Sequence, residues 1–85
     1  MIKRAKEIKS NLYIFEPSLL IPTKMVRITY GLINIEKEEG EYNKISVYLS
    51  DKDGNKIDEL AIISSGGLKN LDELLSIYGY VILDN

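Results

Sequence analysis

Thirteen carboxylates, eleven cations and six tyrosines supply whatever chemistry this 85-residue chain can perform, because it holds no histidine, cysteine or tryptophan. Histidine is the one side chain that ordinarily titrates near neutrality. Cysteine is the strongest neutral-pH nucleophile and, with histidine, the usual zinc ligand. Ser-His-Asp and Cys-His catalysis, zinc fingers and disulfides are therefore excluded. Carboxylate, lysine or tyrosine chemistry and an oxygen-ligand metal site remain to be weighed.

Asp51, Asp53 and Asn55 repeat the first ligands of a calcium loop. Lys56 stands where that loop needs glycine, and Ile62 where it needs its bidentate glutamate. DKDGNK is therefore expected to be a hairpin turn, with no metal. Ser64-Ser65-Gly66-Gly67 before a helix could gather free N–H groups around an anion. It lacks the GK[ST] ending of a phosphate loop, since Leu68 follows the second glycine, so a plain strand-to-helix turn is preferred. Glu36, Glu38, Glu39 and Glu41 around Gly40, and the pair Asp58-Glu59, are carboxylate clusters. Acid–base work needs two such groups fixed across a cleft with their pKa values pushed apart, and so small a domain offers no evident cleft. No catalytic residue, cofactor or enzymatic activity is expected.

Two surfaces are better candidates for binding. In KISVYLS, alternation puts Ile45, Val47 and Leu49 inward, with Lys44, Ser46, Tyr48 and Ser50 outward. The preceding strand turns Met25, Arg27 and Thr29 to its outer face. If the two outward sets adjoin, Arg27, Lys44 and Tyr48 form a small basic and aromatic face. Such a face can stack bases and hold phosphates, or dock a protein partner equally well. The second candidate is Leu19, Leu20 and Ile21 between Pro17 and Pro22, either tucked under the sheet or offered to a partner.

These residues need elements to position them. Residues 2–9 could form a short helix with Ile2, Ala5 and Ile8 on one side, or residues 1–10 a flexible basic arm. NLYIF (11–15) reads as a strand ended by Pro17. KMVRITYGLINI (24–35) is the longest strand signal, and its apolar positions change phase around Gly31, predicting a bulge or bend there. Residues 44–50 and 57–63 are expected to pair across the DKDGNK turn. SSGG breaks the chain. A helix then carries Leu68, Leu71, Leu74, Leu75 and Tyr78 in one stripe, with Asn70 as N-cap, Glu73 completing a capping box and Gly79 ending it. Residues 80–83 make a last short strand.

The whole is one α+β domain over residues 1–85: an antiparallel sheet of four or five strands with one helix across it. A small OB-like barrel is the alternative. Residues 1–27 hold six cations against two acids, a net of +4, while residues 28–85 hold five against eleven, a net of −6. No apolar run is long enough to span a membrane and no signal segment follows the basic start, so the expectation is a soluble cytoplasmic protein. The isoleucine, lysine, asparagine and tyrosine bias fits an AT-rich genome, including mobile elements. So small a core without staples favours oligomerisation, most simply a dimer. The expected function is non-catalytic protein binding, as an inhibitor, adaptor or assembly subunit. The alternative is a binder of single-stranded or structured nucleic acid through Arg27, Lys44 and Tyr48, against which the net charge of −2 counts.

Overall fold

Strand pairing dominates the chain from its first residues. The computed structural model describes residues 2–83 and places six strands and one helix in them. They are β1 (Lys3–Lys9), β2 (Leu12–Ile21), β3 (Val26–Lys37), β4 (Asn43–Ser50), β5 (Ile63–Leu68), α1 (Leu71–Ile77) and β6 (Tyr80–Leu83). One sheet runs in the order β5-β4-β3-β2-β1-β6. All neighbours are antiparallel except β1 and β6, which are parallel. The sheet curls into a half-barrel, and α1 packs on both end strands, β5 and β6. The α+β class is as expected, while the strand count and the parallel pair differ from the expected four or five antiparallel strands. β5 and β6 are not hydrogen-bonded to each other, so the alternative of a closed barrel is not what forms.

The basic N-terminal segment is neither a helix nor a loose arm but β1. A helix of under three turns is marginal unless packing sustains it. Pairing with β2 on one side and β6 on the other instead sends Ala5 into the core opposite Phe15, leaving Ile2 and Ile8 exposed. β2 also departs from expectation, because it does not end at Pro17. The chain passes through a cis Glu16–Pro17 bond within the strand. The register against β3 shifts between Ile14 and Leu19, so the proline sits in an irregularity where the ladder asks for no N–H.

The phase change in β3 is present. Ile28, Gly31 and Ile33 all face inward, a spacing of three and then two. A Cβ on Gly31 would lie 2.9 Å from Phe15 Cε2 and 3.0 Å from Val47 Cγ1, so the Phe15 ring occupies the space a side chain would need. Phe15 then meets Tyr80 edge to face at 5.5 Å between ring centres.

β4 alternates only in part. Ile45 and Val47 are fully buried, but Leu49 is half-buried, and Ser46 and Ser50, expected outward, are buried beside Ser64 of β5 and by bonds to the Asp51 and Asn55 carbonyls. Its return partner starts later than residues 57–63. After a single bridge between Ser50 and Lys56 the chain leaves the ladder and rejoins at Ile63. Ser64 to Gly67, expected to break the strand, are part of β5. Ser64 exchanges a hydroxyl hydrogen bond with Ser46 at 3.3 Å, and Gly67 at φ +69° takes the left-handed turn of a bulge. The helix cap is as expected: Asn70 Oδ1 accepts from Glu73 N at 2.9 Å, and Glu73 Oε2 reaches back to Lys69 N at 3.1 Å. Leu71, Leu74 and Leu75 face the sheet, and Gly79 at φ +81° lets the chain reverse into β6.

Candidate functional site

Pairing of β2 with β3 decides which of the candidate residues meet. Leu19, Leu20 and Ile21 lie opposite Ile28, Arg27 and Val26. Strand alternation separates the aliphatic trio. Leu19 (1%) and Ile21 (5%) are core, whereas Leu20 is 41% exposed. Only Leu20 can therefore offer apolar surface from this run, and it stands directly beside Arg27. One member of each candidate set, Arg27 and Leu20, is thus brought together.

Around them lies an open groove of about 560 Å³. Pro17, Leu19, Leu20 and Pro22 line one side, and Tyr78 and Tyr80, from the end of α1 and the start of β6, line the other. Lys3 and Arg27 supply its charge, and among the described residues no carboxylate lines it. The Tyr80 hydroxyl donates to the Pro17 carbonyl, tying β6 to the irregular stretch of β2. Burial pushes the Tyr80 phenol above its ordinary value, so the hydroxyl stays protonated and donating. Lys3 Nζ lies 5.7 Å from the Tyr80 ring centre, within cation–π range.

Tyr48 and Lys44 lie elsewhere. Lys44 is opposite Glu36 and Tyr48 opposite Leu32. Arg27 is five residues from Leu32 along β3, roughly 17 Å at ~3.3 Å per residue. The expected adjoining face of Arg27, Lys44 and Tyr48 is therefore not assembled. Tyr48 is half-buried, and Lys56 Nζ sits 4.0 Å from its ring centre, covering the surface a base would stack on. A smaller hollow of about 350 Å³ beside it is lined by Asn11, Leu32, Asn34, Tyr48 and Lys56. The turn at residues 51–56 closes over this region: Gly54 approaches Leu12 and Lys9 Nζ donates to the Asp53 carbonyl at 3.5 Å. Leu12 is thereby 1% exposed although it stands apart from the main core cluster.

The calcium-like string is a turn held by its own first carboxylate. Asp51 Oδ1 accepts from Asp53 N at 2.9 Å and Asn55 N at 3.0 Å, and Asp51 Oδ2 from Asn55 Nδ2 at 3.2 Å. The Asn55 backbone N–H is the main reason its pKa lies below the ordinary carboxylate value. Glu38, from the acidic connection, is likewise engaged, accepting from Gly67 N at 2.8 Å. Among the described residues no group of three carboxylates could hold a metal, and no helix is long and apolar enough to cross a membrane.

The groove residues missed by inspection of the sequence are Lys3, Tyr78 and Tyr80. Lys3 belonged to a visible basic block, but only the parallel pairing of β1 with β6 (Lys3 opposite Tyr80) brings it to this place. The fold and groove define a curled, mixed six-stranded sheet with a basic and aromatic cleft at one end. Comparison of the chain with protein-family models, with curated proteins and with solved structures returns no match.

Proposed function

We propose that this chain is a small non-catalytic binding module of the cytoplasm that acts through a protein–protein interface and forms a homodimer. The groove carries the reading: exposed Leu20 beside Arg27, with Lys3, Tyr78 and Tyr80 around a concave apolar floor. Tyrosine and arginine are the side chains that anchor interfaces, and a concave apolar centre with a charged rim is the usual anatomy of one. Among the described residues the cleft is lined by no carboxylate that could serve as general acid or base, which supports binding over catalysis. The missing cysteines fit a reducing compartment.

The test is capture of partners by immobilised protein, with and without nuclease, comparing wild type with Arg27→Glu and Leu20→Asp. Nuclease-resistant partners lost in both variants are expected. Capture that disappears with nuclease would replace this reading with nucleic-acid binding, and nuclease-resistant capture that survives both substitutions would place the protein interface outside the groove.

A further inference from the structure

Between Lys56 and Ile63 the chain leaves the β4 ladder. Both ends of this segment are held to β4, with Ile57 N donating to the Leu49 carbonyl at 2.9 Å and Ile62 N to the Val47 carbonyl at 2.8 Å. Between these points β4 advances two residues and the opposing chain five. The surplus is pushed out as a knob. Asp58 Oδ1 accepts from Leu60 N at 3.1 Å and tightens it. The result presents Ile57 (64% exposed) and Leu60 (75% exposed) on either side of exposed Asp58 and Glu59. Two large aliphatic side chains are thereby held in solvent by a loop pinned at both ends.

The knob and the groove are complementary in charge and in apolar content. Aliphatic, acid, acid, aliphatic faces a cleft of Leu20 and two tyrosines carrying Lys3 and Arg27 and no acid. Neither cation is in an ion pair among the described residues. None of residues 57–60 lines the groove of its own chain. The knob lies, however, near the same end of the molecule. Lys24 Nζ donates to the Ile62 carbonyl at 2.8 Å, and Pro22, two residues earlier in the same turn, lines the groove. Neighbouring knob and groove are what a two-fold axis requires for each copy to insert into the other.

We infer that the groove takes the Ile57–Leu60 knob of a second copy of this chain, in a reciprocal dimer. This rests on the proposed protein-binding role of the groove and names its occupant. A partner that enters the same groove would then compete with the dimer, so partner binding would draw on monomer.

Sedimentation equilibrium of the full chain tests this, with circular dichroism confirming that each variant is folded. Wild type should be dimeric. Arg27→Glu, and separately Lys3→Glu, should raise the dimer dissociation constant by about tenfold or more, since like charges across an interface are strongly disfavoured. Asp58→Lys with Glu59→Lys should do the same. Combining Lys3→Glu and Arg27→Glu with the two lysine substitutions reverses the charge of both groove and knob and should restore dimerisation, which no general loss of stability would do. A wild type that stays monomeric, or a combined variant no better than its parents, would overturn the inference. In either case partner capture that still depends on Arg27 would leave the protein-binding role of the groove standing, while a monomeric wild type would remove the homodimer together with the self-docking.

Discussion

Gly31 shows how much one missing side chain can decide. Its backbone lets the Phe15 ring lie across β3 against Val47, and the ring in turn meets Tyr80, which closes one side of the groove. Alanine at this position would place its Cβ at 2.9 Å from the ring, in a core with no slack. Gly31→Ala should lower unfolding free energy by about 1–3 kcal/mol, read as a lower denaturant midpoint at unchanged slope. Asp51 acts through its charge. Its folded pKa lies below the unfolded one, chiefly because the Asn55 N–H favours the carboxylate. Its contribution is therefore fully present above the unfolded value and is lost as pH falls through the folded one. Asp51→Ala should melt lower than wild type at neutral pH, and the gap should narrow as the solution is acidified. A gap of constant width from neutral to acid pH would mean that the charge is not what holds the turn.

At the scale of elements, β5 is the strand with the weakest intrinsic case. Two serines and two glycines carry little β propensity, and neither glycine has a side chain to pack. What keeps them in the sheet is pairing with β4 and one long-range anchor, the Glu38 carboxylate on Gly67 N at 2.8 Å. Glu38→Ala should free that amide and loosen the end of β5. Hydrogen exchange at Gly67 should speed up about tenfold, the equivalent of ~1.4 kcal/mol for one charge-assisted bond, while Ile45 and Val47 keep their protection. Equal acceleration along β4 would show that the anchor serves the whole sheet.

The molecule as a whole has a small core and a generous rim of exposed aliphatics. The cluster built on Phe15, Leu19, Ile28, Ile45, Leu74 and Leu75 is well buried, yet Leu60, Ile77, Ile57 and Val81 remain largely in solvent. Covering part of that rim by self-association would add apolar burial that the single chain cannot supply. The melting temperature should therefore rise with protein concentration across a hundredfold range, and raised salt should reduce the gain if Lys3 and Arg27 contribute. A melting temperature independent of concentration would show that the chain is stable as a monomer.

Much of this was written locally. The phase change at Gly31 and the Asn70–Glu73 cap are patterns within a few residues, and each is present in the fold. The alternation of Lys44 to Ser50 holds only in part, because β5 and the 51–56 turn bond to Ser46 and Ser50 on the face expected to be wet. The absence of histidine and cysteine likewise needs no structure to remove whole classes of chemistry. Pairing partners are a different matter, because they are set by energies summed over residues far apart in the chain. An isolated reading of KRAKEIK sees a marginal helix, and only β2 and β6 make it a strand. Pro17 looks like a terminus until the register shift against β3 shows that the ladder tolerates it there. The surplus residues 57–62 could not be told from a hairpin strand, since their composition suits either and the bonds to Leu49 and Val47 alone decide the excursion. The groove follows the same logic. Arg27 and Leu20 were visible as candidates, but their adjacency depends on β2–β3 register, and the arrival of Lys3, Tyr78 and Tyr80 depends on a parallel pairing between the two ends of the chain.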